Sequence, residues 1–236
     1  MIPALVLLTT FVLLGIPGAI VCIPWTLLTG NVVLLYRTAM VIVRTGLRLA
    51  GIRIHITGLE HIPSNRAVIF MANHVSNLDP PVLLPLIPGR TSIFLKQSLM
   101  RIPVLGWGMR LGEFIPVARD GNPQNAQQSV RNAAALLARG IHFTTFVEGT
   151  RSRDGRLLPF KKGPFFLAQE SAAPCIPVTI YGTAAMMRKG SLRVFPAAAQ
   201  VTFHAPIQPA DYPTREALMD AVRASISSAL PPELRA

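Results

Sequence analysis

Hydrophobic and polar positions divide this chain into two unlike parts. From Met1 to Tyr36 no side chain is charged, and apolar residues dominate with no clear polar face. Such a run predicts a segment surrounded by lipid rather than a helix with one face on a protein core. It exceeds the roughly 20 residues that a spanning helix needs. It is interrupted, however, by Pro17-Gly18, Pro24 and Thr29-Gly30-Asn31, so one tilted span and two short helices dipping into a single leaflet fit equally. No Lys or Arg precedes Arg37, which does not match the positive start of a cleaved signal peptide. Arg37, Arg44, Arg48 and Arg53 then follow with no acidic residue before Glu60. Positive charge beside a membrane segment marks the cytoplasmic side. The first three arginines share one helical face, which predicts either an interfacial basic helix against anionic head groups or a plain solvated face.

Beyond Gly51, short β-rich runs alternate with helical stretches. Ala67 to Met71, Ser92 to Leu95, Glu113 to Val117, His142 to Val147 and Cys175 to Tyr181 read as strands. Asn122 and Pro123 suit a helix start, Ala126, Val130, Ala133 and Leu137 form an apolar stripe, and Gly140 stops it. Leu192 to Val194 and Gln200 to His204 predict a closing β pair around Pro196, and Thr214 to Leu230 a final amphipathic helix. Strand and helix alternating in this way imply an α/β fold: a mostly parallel sheet flanked by helices, preceded by the hydrophobic, membrane-embedded helical segment. The expected division is residues 1–50 for that segment and 51–236 for one α/β domain.

Composition sharpens the picture. The 236 residues are 50% hydrophobic with a mean hydropathy of +0.43, and the excess lies in the front. That argues against both a polytopic transporter and a freely soluble protein. Lys and Arg number 23 against 11 Asp and Glu, a net charge of +12, which favours an anionic partner: nucleic acid, an acidic membrane surface or a phosphorylated substrate. Only Lys96, Lys161, Lys162 and Lys189 are lysines, and the arginines are dispersed, which weakens the nucleic-acid reading. Cys22 and Cys175 each sit in apolar runs without metal-ligand spacing, so a reducing compartment and no metal site are expected.

Two blocks carry candidate chemistry. Ala72-Asn73-His74-Val75-Ser76-Asn77-Leu78-Asp79-Pro80 directly follows a predicted strand, where α/β proteins place functional groups. A His and an Asp five residues apart cannot share a face of a regular helix. If the chain turns between them, the Asp can hold one ring nitrogen and leave the other to take a proton, as a general base requires. A lone His is more often structural. The second block, Phe146-Val147-Glu148-Gly149-Thr150-Arg151-Ser152, ends another predicted strand. Gly149 permits close backbone approach and Arg151 can grip a phosphate, with Arg153, Arg156, Lys161 and Lys162 following; a polar turn with solvated charges is the plainer reading. Gly106-Trp107-Gly108-Met109-Arg110-Leu111-Gly112 misses dinucleotide-loop spacing, and Trp107, Met109 and Leu111 suit packing against a membrane. His55, His61, His142 and His204 lack partners at metal spacing and read as surface or packing residues. Met186-Met187-Arg188-Lys189 reads as a membrane-contacting tip or a plain loop.

The Asn-His-x-x-x-x-Asp and Glu-Gly-Thr-Arg blocks, about seventy residues apart and in this order, resemble the glycerophospholipid acyltransferase family, whose best-known members act on 1-acylglycerol-3-phosphate. Lys96, Leu99, Pro103, Gly106 and Gly112 leading to Phe114-Ile115-Pro116-Val117-Ala118-Arg119, and Ile176-Pro177-Val178, are similar to two further blocks of that family. The resemblance covers roughly Ile54 to Gly182. It implies that His74 is the general base, oriented by Asp79, and that a lysophospholipid hydroxyl attacks an acyl thioester directly. It implies that Arg119 and Arg151 hold the acceptor phosphate, with Lys96 a weaker candidate, while Glu148, Gly149 and Thr150 shape the acceptor pocket. Ser76 is a less favoured nucleophile, and no G-x-S-x-G elbow is present. Val147 and Ala118 stand where members often have Pro and an acidic residue, which bears on the choice of lysolipid. The expected activity is transfer of an acyl group from acyl-CoA or acyl carrier protein to the sn-2 hydroxyl of lysophosphatidic acid, giving phosphatidic acid at the cytoplasmic face of an inner membrane. No bound cofactor is expected; the thioester is a co-substrate. The expected partners are membrane lipids, lysophosphatidic acid and the thioester carrier, and not nucleic acid. Two alternatives stay open: the same chemistry on lyso-ornithine lipid or another lysophospholipid, and a membrane-tethered anion-binding protein without catalysis.

Overall fold

A computed structural model describes residues 2–117 and 123–235. The predicted cap Asn122, together with Ala118 and Arg119, lies outside the described residues. The apolar front folds as α1 (Ile2–Thr10), a π-helical turn over Phe11–Gly15, and α2 (Ile16–Thr29). Together they make one continuous 28-residue helix, long and apolar enough to cross a membrane, about 42 Å at 1.5 Å per residue. Pro17-Gly18 and Pro24 therefore do not interrupt it. The π turn lies immediately before Pro17, where the missing N–H and the ring would disturb regular α geometry. The break comes at Gly30, whose φ of 69° closes the helix in the left-handed region. α3 (Val33–Leu49) then folds back on it. Gly18 lies against Thr38, and Gly46 lies against Leu7 and Thr10.

Seven strands follow among the described residues: β1 (Arg53–Thr57), β2 (Ile69–Ala72), β3 (Thr91–Lys96), β4 (Ile115–Val117), β5 (His142–Phe146), β6 (Cys175–Tyr181) and β7 (Ala198–Phe203). The helices between and after them are α4 (Asp79–Leu83), α5 (Leu105–Leu111), α6 (Pro123–Ala138), α7 (Lys162–Ser171), α8 (Thr183–Met186) and α9 (Arg215–Ser228). The sheet order is β1-β7-β6-β2-β5-β3-β4. Every pairing is parallel except β6 with β7. The α/β expectation holds, with the sheet covered on both faces as parallel sheets require. Phe70 and Ala72 of β2 face a core that includes Leu7 and Leu47 of the helical front. Ile69 and Met71 face the opposite core with Ala133, Phe165 and Leu218 from α6, α7 and α9. Side chains alternate across a strand, so one central strand ties both layers together.

Several expectations need correction. No strand forms over 192–194. The neighbour of β7 there is β1, an exposed edge strand whose Arg-Ile-His-Ile-Thr alternation continues directly from the basic flank. The 192–194 segment is instead held as a loop, with the Phe195 amide donating to the Met186 carbonyl at 2.9 Å. β4 begins two residues later than predicted, because Glu113 adopts φ 61° and bonds Arg90 and Arg139. Ala126 is exposed on α6, so the buried stripe is Val130, Ala133, Leu136 and Leu137. The final helix forms with Thr214 as its cap, its hydroxyl accepting from the Ala217 amide.

Gly182 closes β6 with φ 92° and starts α8, and a Cβ there would meet the Ala198 carbonyl oxygen at 2.4 Å. Gly140 has a similar φ of 79° but open space around it. Gly182→Ala is therefore expected to lower unfolding free energy by about 2 kcal/mol or more, against about 1 kcal/mol for Gly140→Ala. Chemical denaturation of both variants in the same detergent checks this, and equal losses would contradict the steric argument.

Candidate functional site

The register of the sheet builds the site before any side chain is considered. Ala72 of β2 pairs with Phe146 of β5 on one side and Val178 of β6 on the other. His74 and Glu148, each two residues beyond a paired position, therefore leave the sheet at the same height. They emerge at the C-terminal edge of parallel strands, where α/β folds place their ligand crevices. Asn73 locks this edge. Its carboxamide donates to the Ile180 carbonyl at 2.9 Å and accepts from the Ile180 amide at 2.7 Å, so a buried side chain supplies the ladder bonds that the departing strand no longer makes.

The turn predicted between His74 and Asp79 exists and brings the two together. His74 Nδ1 lies 2.7 Å from Asp79 Oδ2. The same oxygen accepts from the amides of Val75 at 2.7 Å and Ser76 at 2.8 Å, and Oδ1 accepts from the Thr183 hydroxyl at 2.5 Å. Asp79 is fully buried, and its four donors compensate the charge that burial would penalise. With the carboxylate on Nδ1–H, the imidazole presents Nε2 as its proton acceptor. The ring stacks on Phe146 with centroids 4.1 Å apart, which fixes the plane in which Nε2 points. Its side chain remains 17% exposed beside a carboxylate that is wholly enclosed, so the imidazole is the member of the pair that a ligand can reach.

Glu148 lies beneath that arrangement. It is 1% exposed; one oxygen accepts from the His74 amide at 2.7 Å and the other from the Leu158 amide at 2.9 Å. Burial pushes its carboxyl up to about 7, the two backbone bonds oppose that rise, and the nearby Asp79 charge adds to it. Glu148 thus joins two loops through its carboxyl rather than presenting that carboxyl to an open pocket. Gly149 follows with φ 66°, and a Cβ there would lie 2.9 Å from Lys161 Cγ. Thr150 is half-buried.

Arg151 carries the sharpest electrostatic signal. Its Nη1 is buried without a hydrogen-bond partner among the described residues, a donor of the kind that native proteins seldom leave unmatched. Lys189 reaches across from the loop after α8, its Nζ 2.6 Å from the Arg151 carbonyl, which adds a second positive charge at this edge. Lys96 stands exposed at the end of β3, beyond β5 from His74. Arg119 lies outside the described residues. Lys162 faces away and pairs with Glu216 at 3.6 Å, and Arg153 and Arg156 are exposed.

The remaining candidates are structural. The Ser76 hydroxyl is buried, donating to the Met187 carbonyl at 2.7 Å and accepting from the Leu78 amide at 3.2 Å. The buried Cys175 thiol is pushed up to about 12, far from nucleophilic thiolate character. His142 Nδ1 accepts from the Val68 amide, and His204 Nε2 lies 2.8 Å from the Thr179 hydroxyl. The described residues contain no group of three His, Cys, Asp or Glu able to hold a metal ion. Met186 is fully buried and Met187 half-buried, so they form core rather than an exposed tip. Thr183, Phe146 and Lys189 escaped sequence reasoning as site residues, because their contacts cross between strands far apart in the chain.

Comparison with known proteins gives an independent bearing. A family model described as acyltransferase matches residues 53–181. The 1-acyl-sn-glycerol-3-phosphate acyltransferase of Limnanthes douglasii is 38% identical over 163 residues, covering 69% of this chain and 57% of that protein. The alpha enzyme of that name from Bos taurus is 31% identical over 185 residues, 75% of this chain and 63% of its own length. The chain thus spans less than two thirds of these relatives. The crystal structure of the 1-acyl-sn-glycerophosphate (LPA) acyltransferase PlsC from Thermotoga maritima has the same fold, with a TM-score of 0.82 at 24% identity over 95% of this chain and 92% of that one.

The position of Glu148 predicts a pH effect on folding. With its carboxyl raised from 4.5 to about 7, the stability associated with its neutral form is complete below about pH 4.5 and is lost as pH rises through about 7. Glu148→Gln removes that titration. Between pH 5 and pH 8 the wild type is expected to lose roughly 2 kcal/mol relative to the Gln variant. Urea unfolding of both proteins at the two pH values measures the difference; a gap that stays constant would mean that Glu148 is already ionised at pH 5.

Proposed function

We propose that this chain, which belongs to the acyltransferase family, transfers a fatty acyl group from a thioester to the sn-2 hydroxyl of 1-acylglycerol-3-phosphate. The observation that carries the reading is His74 held through Nδ1 by the buried Asp79 at the open edge of the sheet. In the proposed step, Nε2 accepts the hydroxyl proton as the oxygen attacks the thioester carbonyl carbon. Collapse of the tetrahedral adduct breaks the carbon–sulfur bond, and the imidazolium returns the proton to the departing thiolate. The products are phosphatidic acid and a free thiol on coenzyme A or acyl carrier protein. Direct attack is supported by the occupied Ser76 hydroxyl and the high Cys175 thiol pKa, which leave neither side chain as an activated nucleophile.

The substrate reading rests on Arg151. A buried guanidinium nitrogen without a partner suits a phosphate placed a few bonds from the reacting hydroxyl, and the names of the relatives agree with that acceptor. Arg119 and Lys96 are proposed to complete the phosphate contacts. The apolar helix of 28 residues is consistent with membrane association. The arginines at 37, 44 and 48, exposed on α3, favour the cytoplasmic face of an inner membrane. A different lysolipid acceptor, such as lyso-ornithine lipid or another lysophospholipid, would keep the same roles for His74 and Asp79 and offer Arg151 a different anionic group.

The test is purified protein in detergent, given labelled acyl-CoA or acyl carrier protein and a panel of lysolipids. His74→Ala is expected to lower turnover by roughly 10²–10⁴, and Asp79→Asn to lower it through loss of the Nδ1–H tautomer. Arg151→Gln should raise KM for lysophosphatidic acid while leaving KM for the thioester unchanged. Full turnover by His74→Ala would refute the mechanism, and His74-dependent product from another lysolipid alone would move the acceptor.

A further inference from the structure

The donors around Asp79 are divided unequally between its two oxygens. Oδ2 accepts from the His74 ring and from the amides of Val75 and Ser76. Oδ1 accepts from the Thr183 hydroxyl at 2.5 Å, and among the described residues that is its one donor. A carboxylate can only accept and a hydroxyl carries a single proton, so the Thr183 proton is committed to Asp79. Both side chains are wholly buried, and bulk solvent therefore offers Oδ1 no replacement donor.

The chain leaves β6 in a way that aims this hydroxyl. Gly182 takes φ 92°, with the Ala198 carbonyl oxygen of β7 where a Cβ would stand, so the direction of exit is fixed by the neighbouring strand. The Thr183 carbonyl accepts from the Met187 amide at 3.1 Å and closes one helical turn. The Met187 carbonyl in turn accepts from the Ser76 hydroxyl at 2.7 Å, and Lys189 Nζ reaches the Arg151 carbonyl at 2.6 Å. This short segment touches the His74 loop twice and the Arg151 loop once. A β-branched side chain is also stiff at χ1, so backbone and side chain together set where the Thr183 hydroxyl points.

We propose that Thr183 is a positioning residue for acyl transfer, whose hydroxyl pins Oδ1 of Asp79 and so keeps Oδ2 turned to His74 Nδ1. Without that hydroxyl, Oδ1 is a buried acceptor lacking a partner. The carboxylate recovers a donor by turning about its last torsion, which is soft, and each turn takes Oδ2 away from the imidazole. The Nδ1–H tautomer is then no longer enforced, and the Nε2 lone pair that receives the substrate proton is lost for part of the time. The kinetic consequence rests on the acyl-transfer reading, whereas the effect on the ring rests only on the geometry of the buried contacts. Thr179 supplies a contrast on the same strand. Its hydroxyl is buried too, but it donates to the Ile226 carbonyl at 2.8 Å and has no bond to the His74–Asp79 pair.

The test compares the full chain in detergent as wild type, Thr183→Val and Thr183→Ser, with acyl-CoA and lysophosphatidic acid as substrates. Val keeps the shape and removes the hydroxyl; it is expected to lower kcat roughly 10–100-fold with KM for both substrates unchanged. Ser returns the donor without the stiffness of a branched side chain and is expected to recover most of that loss. In an Asp79→Asn background, Thr183→Val is expected to cost less than about twofold, because residues that act through one another are not additive. Thr179→Val should lower stability and leave kcat as it was. Nuclear magnetic resonance of isotope-labelled histidine rings, at a pH where the imidazole is neutral, gives a readout that needs no turnover. His74, identified by the signals missing from His74→Ala, is expected to be Nδ1–H in the wild type and the Ser variant and a mixture of tautomers in the Val variant. An unchanged His74 ring in Thr183→Val, a Ser variant as impaired as Val, or an equal loss with and without the Asp79 carboxylate would each overturn the proposal. A wild type that shows no His74-dependent transfer would refute the acyl-transfer reading instead, and the ring signals would then decide the role of Thr183 by themselves. If the Val variant does not fold, Thr183→Ala takes its place in every comparison.

Discussion

A single buried carboxylate organises this edge of the sheet. Asp79 receives hydrogen bonds from the His74 ring, the amides of Val75 and Ser76, and the hydroxyl of Thr183. Those donors come from the loop after β2 and from the start of α8 after β6, so the charge closes the turn and joins it to a neighbouring strand's exit. Removing any donor would leave a buried anion less than fully compensated, a cost that falls on the whole turn rather than on one bond. This makes the orientation of His74 a consequence of folding, settled before any ligand arrives. It also shows why Ser76, which lies so close to the histidine, is unavailable: its amide belongs to Asp79 and its hydroxyl to Met187 and Leu78.

Glu148 extends the same logic to the other neighbouring strand. Its two oxygens hold the amides of His74 and Leu158, and the Ser152 amide donates to the His74 carbonyl at 2.8 Å. His74 is thus gripped by its main chain from the β5 side and by its ring from Asp79. Burial raises the Glu148 carboxyl to about 7, and the nearby Asp79 charge adds a smaller push in the same direction. Asp79 accepts four hydrogen bonds where Glu148 accepts two. The charge that reaches the imidazole is then the one that fixes its tautomer.

The sequence displayed much of this, unevenly. Six strand segments, Gln200 to His204 among them, were legible because buried strands read as short β-branched and aromatic runs, and the His–Asp pairing was legible because five residues demand a turn if the two are to meet. β1 was not legible as a strand: Arg53 and His55 point outward on an exposed edge, and the alternation resembles a charged flank. The extra strand read into 192–194 failed because residue preferences do not reveal that β7 already has neighbours on both sides. At Pro17-Gly18 the sequence leaves one span and two short helices equally open, and a π turn just upstream is what lets a single helix continue. What sequence could not show at all was Glu148 facing inward, since a Glu-Gly-Thr-Arg block looks equally suited to an exposed polar turn. Only the register of Ala72 with Phe146 brings that carboxyl under the His74 amide.

The distribution of acidic side chains explains where an anion can be received. The chain has only 11 of them against 23 basic residues, and the buried or half-buried ones serve structural donors. Asp79 and Glu148 hold backbone amides, while Glu113 neutralises Arg90 and Arg139. Arg151, by contrast, has a buried guanidinium nitrogen and no carboxylate within ion-pair distance among the described residues. A buried donor left in that condition is costly unless a ligand supplies its partner. The buried and half-buried carboxylates among the described residues position His74 and neutralise Arg90 and Arg139, and none of them pairs with Arg151. An anionic phosphate arriving beside the imidazole would complete an electrostatic arrangement that the protein's own residues leave unfinished, so the residues that orient the base and the residue that attracts the substrate follow from one shortage of negative charge.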